Sequence, residues 1–160
     1  MNLYFCPSCR RAAFARETCP SCGIICDSPA QDYVEKLLET VLSDDTSRAG
    51  MAVDVLTARM HEPRTIVPLI MLGHSEGDPY RLVLAARGMG GLGDPQAVPE
   101  LAELLLDEDK PFVARVAAAE ALGALGGEDA RRVLQQAARS QRPSVVKASA
   151  RALEKIKTVE

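Results

Sequence analysis

The chain has 160 residues, of which 47% are apolar and 26% charged, enough apolar content to bury a core and too much for a disordered tail. The longest apolar stretch, 66–72, is interrupted by Pro68 and too short to cross a bilayer, so no membrane segment is expected. Tryptophan is absent, aromatics reach only 4%, and alanine and leucine dominate after residue 80, a composition of packed helices rather than of a sandwich or barrel. The formal net charge of −3 is unevenly spread: +1 over residues 1–30, −10 over 31–130 and +6 over 131–160. The first residues lack a basic stretch followed by an apolar one, so the reading is a cytoplasmic chain without a signal peptide.

In chain order the cysteines come first, all five within 26 residues. Four form two near-identical knuckles, Cys6-Pro7-Ser8-Cys9 and Cys19-Pro20-Ser21-Cys22, separated by nine residues. Each Cys-x-x-Cys turn aims two thiolates at one point, and Pro presets the turn. Together Cys6, Cys9, Cys19 and Cys22 supply four soft donors in a tetrahedron, the set that suits one Zn²⁺ per chain. With its coordination sphere filled, such a metal is structural. Donor type alone also admits iron in a rubredoxin-like site. Disulfides are disfavoured without a secretory signal, and a thioredoxin-type pair lacks its βαβ unit. The duplicated knuckle resembles a zinc ribbon over residues 3–27, built on β-hairpin knuckles. Cys26 is left over and reads as a small apolar residue closing the segment 23–26, with a redox-sensitive thiol as the alternative.

Beyond residue 43 the chain repeats itself every 31–33 residues. The block 86–93 matches 119–126, residues 151–156 echo it again, and prolines recur at 79, 111 and 143. The pattern predicts helices over 31–42, 47–59, 65–73, 79–90, 96–106, 112–124, 128–139 and 143–157. Asp78-Pro79 and Asp94-Pro95 read as helix starts; Gly73, Gly93 and Gly126 read as stops. No such helix buries its apolar face alone, so neighbouring pairs must stack. The core is expected at Leu56, Met89, Leu122 and Leu153 on first helices and at Leu72, Leu101, Leu105 and Leu134 on second helices. The blocks 92–101 and 118–126 resemble HEAT-like repeats of the alanine-rich, phycobilisome-lyase-like kind. That resemblance implies an all-α, right-handed solenoid of helix pairs whose second helices line a concave face. The division is a ribbon at 1–28 and a solenoid at 29–160. Met60-His61-Glu62-Pro63 departs from the repeat, standing where Gly-Asp-Pro is expected.

Several motifs dissolve under this reading. Gly88-Met89-Gly90-Gly91-Leu92-Gly93 fits G-x-G-x-x-G, but it ends a helix instead of opening one after a strand. His61 and His74 sit at turns without a nucleophile motif. The acids Asp107-Glu108-Asp109 read as a solvated loop facing the basic residues that open first helices, Arg48, Arg81 or Arg115. Arg131, Gln135 and Arg139 fall at i, i+4 and i+8, with Arg132 beside them, where the preceding unit carries Val98, Ala102 and Leu106. These four residues are the candidate partner-binding surface, set against the plainer role of a polar terminal cap.

The resulting expectation is a non-enzymatic adaptor: a structural zinc ribbon plus a helical-repeat surface that docks another protein. Two alternatives stand beside it. One is a nucleic-acid-binding protein using the ribbon and the basic end, opposed by the acidic central block and the scarcity of stacking aromatics. The other is an accessory of a lyase, which the repeat resemblance suggests although no residue carries that chemistry.

Overall fold

Carboxylates set where helices begin in the computed structural model, which describes residues 4–5, 12–13, 30–74 and 78–157. Asp45 accepts a hydrogen bond from the Arg48 backbone N–H, Asp78 from that of Tyr80, and Asp94 from that of Gln96. Each satisfies a donor that the first helical turn leaves unpaired. The helices are α1 (Ala30–Val41), α2 (Thr46–Asp54), α3 (Ile66–Gly73), α4 (Pro79–Leu92), α5 (Val98–Leu106), α6 (Phe112–Leu125), α7 (Gly127–Ala137) and α8 (Pro143–Lys157). Single 3₁₀ turns, Pro63–Thr65 and Pro95–Ala97, lead into α3 and α5, so those two elements begin as tighter turns than expected.

Two layers result. The first helices α2, α4, α6 and α8 pack side by side, and α1, α3, α5 and α7 form the second row. Small residues bring the first layer together. A Cβ placed on Gly90 would lie 2.9 Å from the Ala121 Cα, and one on Gly123 would lie 2.7 Å from the Ala152 Cβ. Gly88 likewise makes room for Leu69 and Val53. The glycines of the G-x-G-x-x-G block are therefore packing and turn residues: Gly93 ends α4 in the left-handed region at φ 76°, and Gly126 follows α6 at φ 69°.

Between the layers lie Leu56, Leu72, Met89, Leu101, Leu105, Leu122 and Leu134, all buried as expected. Leu153 is only partly buried, and α8 inserts Ala152 and Ile156 instead.

The first unit departs where its sequence does. After Asp54 the helix widens into a π turn, Val55–Arg59, in which Met60 N–H reaches the Val55 carbonyl. From N-cap Asp45 to left-handed His61 there is one residue more than from Asp78 to Gly93, and the wide turn absorbs it. His61 takes φ 49°, the place glycine holds in the next unit, and Glu62 caps the following turn as Asp94 does.

At the N-terminus, β1 (Tyr4–Phe5) pairs antiparallel with β2 (Ala12–Ala13). This two-residue ladder does not by itself make a zinc ribbon. Cys6, Cys9, Cys19, Cys22 and Cys26 lie outside the described residues.

Candidate functional site

The second-row helices turn one side to solvent, and its chemistry changes along the row. On α3 the outward residues are Val67 and Met71, both more than half exposed. On α5 they are Pro99 and Glu103, with Glu100 half-buried beside them, and on α7 they are Glu128, Asp129, Arg132, Gln135 and Gln136. The sequence builds this face simply: Ala130, Leu134 and Ala137 are buried at i, i+4 and i+7 of α7, which leaves the intervening polar positions outside.

Of the four residues expected to meet a partner, Arg132, Gln135 and Arg139 are exposed and Arg131 is half-buried. Gln135 and Arg132 belong to α7, whereas Arg139 lies just past its end at Ala137. Both arginines of the helix have an acid one turn earlier. Arg131 Nη1 is 3.4 Å from Glu128 Oε1, and Arg132 Nη2 is 2.6 Å from Asp129 Oδ1. Such exposed i, i+3 pairs are weak, so the guanidinium groups can exchange partners, but they temper the positive field of this end.

Where α3 meets α5, His74 Nε2 pairs with Glu100 Oε1. His74 follows the last turn of α3, so its contact ties one unit to the next. The cleft there is lined by His74, Met89, Glu100, Glu103, Leu104 and Lys110 and measures about 20 Å³, room for little beyond one water. Nothing in the sequence marks this pair, since the partners are 26 residues apart and in different repeats.

The basic residues opening first helices do not share one task. Arg48 pairs with its own N-cap Asp45 at 3.2 Å. Arg81 reaches Asp44 and the Leu42 carbonyl, both at 3.3 Å. Arg115 is buried, 2% exposed, and its Nε donates to the Leu105 carbonyl at 2.9 Å. A cation on the carbonyl end of α5 opposes the negative pole of that helix, and the loop acids Asp107-Glu108-Asp109 are not what holds it. Among the described residues, no cluster of His, Cys, Asp and Glu could hold a metal ion, and no helix is long and apolar enough to cross a membrane.

Residues 68–154 match the family model for HEAT repeats. No curated relative matches the chain. Among solved structures, human deoxyhypusine hydroxylase is similar at 24% identity and a TM-score of 0.68, over 78% of this chain and 43% of that one. The complex of CpcE and CpcF of phycocyanin lyase from Nostoc sp. PCC7120 is similar at 24% identity and a TM-score of 0.51, over 78% and 65%. The chain thus spans less than half of the length of the first of these structures and about two thirds of the second. At this identity the likeness is one of fold. It nevertheless corrects the expectation of a non-enzymatic chain: a hydroxylase and a lyase are built on the same helical pairs, so the lack of a familiar catalytic motif in such repeats gives no ground for excluding chemistry. With more than half of its length matched, the chain belongs to the HEAT-repeat family.

Proposed function

We propose that this protein docks another protein across its second-row helices, with an acidic part of that partner lying toward residues 131–142. The observation that carries this reading is the outward face of α3, α5 and α7, which runs from exposed Val67 and Met71 through Glu103 to Arg132 and Gln135. Exposed apolar side chains provide contact area, while the change of charge along the row orients the incoming surface. Arg131, Arg132, Gln135 and Arg139 form the basic end of that face. A zinc ribbon at 1–28, with Cys6, Cys9, Cys19 and Cys22 holding one structural Zn²⁺, accompanies the solenoid. Four thiolates in paired Cys-x-x-Cys turns support that metal, and β1 and β2 bracket the first knuckle.

Affinity capture with the intact protein identifies the partner, and its association rate is then measured against the variant Arg131→Glu/Arg132→Glu/Arg139→Glu. The reversal is expected to slow association and flatten its salt dependence, with helicity unchanged. An unchanged rate would reduce the basic end to a solubilising cap. Steeply salt-dependent binding to DNA or RNA would instead favour the nucleic-acid reading.

A further inference from the structure

We infer that the outer face of the first-row helices docks a second copy of this chain, about a two-fold axis that runs along the helices between α4 and α6. The ninth residues of α2, α4, α6 and α8 are Asp54, Arg87, Glu120 and Arg151, all exposed. Their level along the helices is set by close packing: Gly90, twelfth in α4, meets Ala121, tenth in α6, and Gly123 meets Ala152 in the same relation. The four charges alternate in sign from helix to helix. None of them makes an ion pair with another described residue.

Relief follows the same order. One turn before the charges, the sixth position is large on α2 and α4, Met51 and Leu84, and small on α6 and α8, Ala117 and Ala148. Met51 stands 53% exposed, and Tyr80 leans over the gap between α2 and α4, its hydroxyl 3.4 Å from the place of a Cβ on Gly50. Between α6 and α8 lies a groove of about 270 Å³, lined by Glu120, Ala148, Arg151, Ala152 and Lys155. One half of the face is raised and the other is hollow.

The two-fold axis turns each half toward its complement, with α4 on α6 of the second copy and α2 on its α8. Arg87 then meets Glu120, Asp54 meets Arg151 and Met51 enters the groove above Ala148, each contact occurring twice. At the centre the spacing matches by symmetry, because α4 and α6 face α6 and α4. An axis across the helices would set Arg87 on Arg87 and Glu120 on Glu120, so the order of charge selects the first operator. Exposed ion pairs are weak singly, and the apolar side chains supply the contact area. Among the other charges, Arg81 and Arg115 are engaged by Asp44 and by the Leu42 and Leu105 carbonyls. Along α8, Arg142, Lys147 and Lys155 outnumber Glu154, and they approach the side where Asp44, Asp45 and Asp54 outnumber Arg48 and Arg59. The turn before α6, with Lys110 among Asp107, Glu108 and Asp109, comes opposite Asp78 of the copy, an acidic match that opposes the contact.

The test is sedimentation velocity of the full chain under reducing conditions, from about 1 to 100 μM, where a reversible dimer is expected. Arg87→Glu and Glu120→Arg should each leave a monomer. Mixed in equal amounts, these two single variants should form a heterodimer, since the reversed charge of each suits the other, and the double variant Arg87→Glu/Glu120→Arg should dimerise again. Met51→Ala should raise the dissociation constant about tenfold or more, because each dimer loses two apolar contacts. All three side chains are exposed, so helical circular dichroism should be unchanged. The triple glutamate variant at residues 131, 132 and 139 should dimerise as the wild type does, which separates this face from the second-row docking surface. A monomer at every concentration, a dimer indifferent to either reversal, or single variants that stay monomeric when mixed overturns the proposal.

Discussion

His61 and Glu62 show how a repeat keeps its turn after losing the residues that usually make it. His61 holds φ 49°, a conformation glycine adopts without penalty and other residues at a cost of about 1–2 kcal/mol. Replacing it by glycine relieves that strain while loosening the unfolded chain, so His61→Gly should stabilise the protein by up to about 1 kcal/mol in urea titration. Glu62 meets Arg64 through two hydrogen bonds, Oε1 at 2.8 Å from Nε and Oε2 at 3.2 Å from Nη2. These side-chain bonds, with the backbone N–H of Arg64 and its charge, hold the Glu62 carboxyl below its ordinary value of 4.5. A carboxylate whose folded value is depressed stabilises the fold above that ordinary value, and the benefit vanishes as pH falls through the folded one. The stability gap between wild type and Glu62→Gln should therefore be largest near neutral pH and close on acidification. A gap independent of pH would assign Glu62 a role other than its charge. The sequence shows the substitution of His-Glu-Pro for Gly-Asp-Pro; it does not show that the backbone keeps the same course.

At the scale of elements, helix positions were legible because caps and stops are local. Asp78, Asp94, Gly93 and Gly126 act within a turn of their own place in the chain, and they perform in the structure the roles their types suggest. What packs on what was less legible. Gly90 and Gly123 read as parts of a repeated motif, yet their importance lies in Ala121 and Ala152 on the neighbouring helices. Gly123→Ala gains about 1 kcal/mol of helix propensity. It also drives a methyl to 2.7 Å from the Ala152 Cβ, so we expect a net loss of about 1–2 kcal/mol from overpacking. Leu122→Ala, which empties a fully buried site, should lose about 2–5 kcal/mol. If Gly123→Ala were stabilising, α6 and α8 would have to sit farther apart than described. Arg115 was likewise hidden from sequence reasoning: only the arrival of α5 beside α6 gives a buried guanidinium its carbonyl.

At the scale of the whole molecule, the proposed zinc ribbon and the helical repeats should answer differently to a chelator, since no cysteine lies beyond residue 26. If the proposed ribbon holds its metal, treatment with a zinc chelator is expected to unfold it and leave the helical circular dichroism intact. Collapse of both signals together would mean one cooperative unit. Metal content should fall in Cys19→Ser and persist in Cys26→Ser, and the reverse result would sink the ligand assignment. The candidate docking residues were visible as charges at helical spacing, but their intrahelical acids and the end of α7 before Arg139 emerged only with the fold. The π turn at Val55–Arg59 carries a consequence for the molecule's length register. A repeat protein works like a ratchet: each unit must deliver the chain to the next at the same angular setting. One surplus residue in a regular helix would rotate everything after it by about 100°. Here the widened turn takes up the surplus, so the units after it keep their phase, and the first unit retains slack that its successors lack. Deleting Ala58, exposed within that turn, should therefore restore an ordinary helix with little loss of stability. Deleting the exposed Ala124 of α6, where no slack exists, should throw the remaining units out of step.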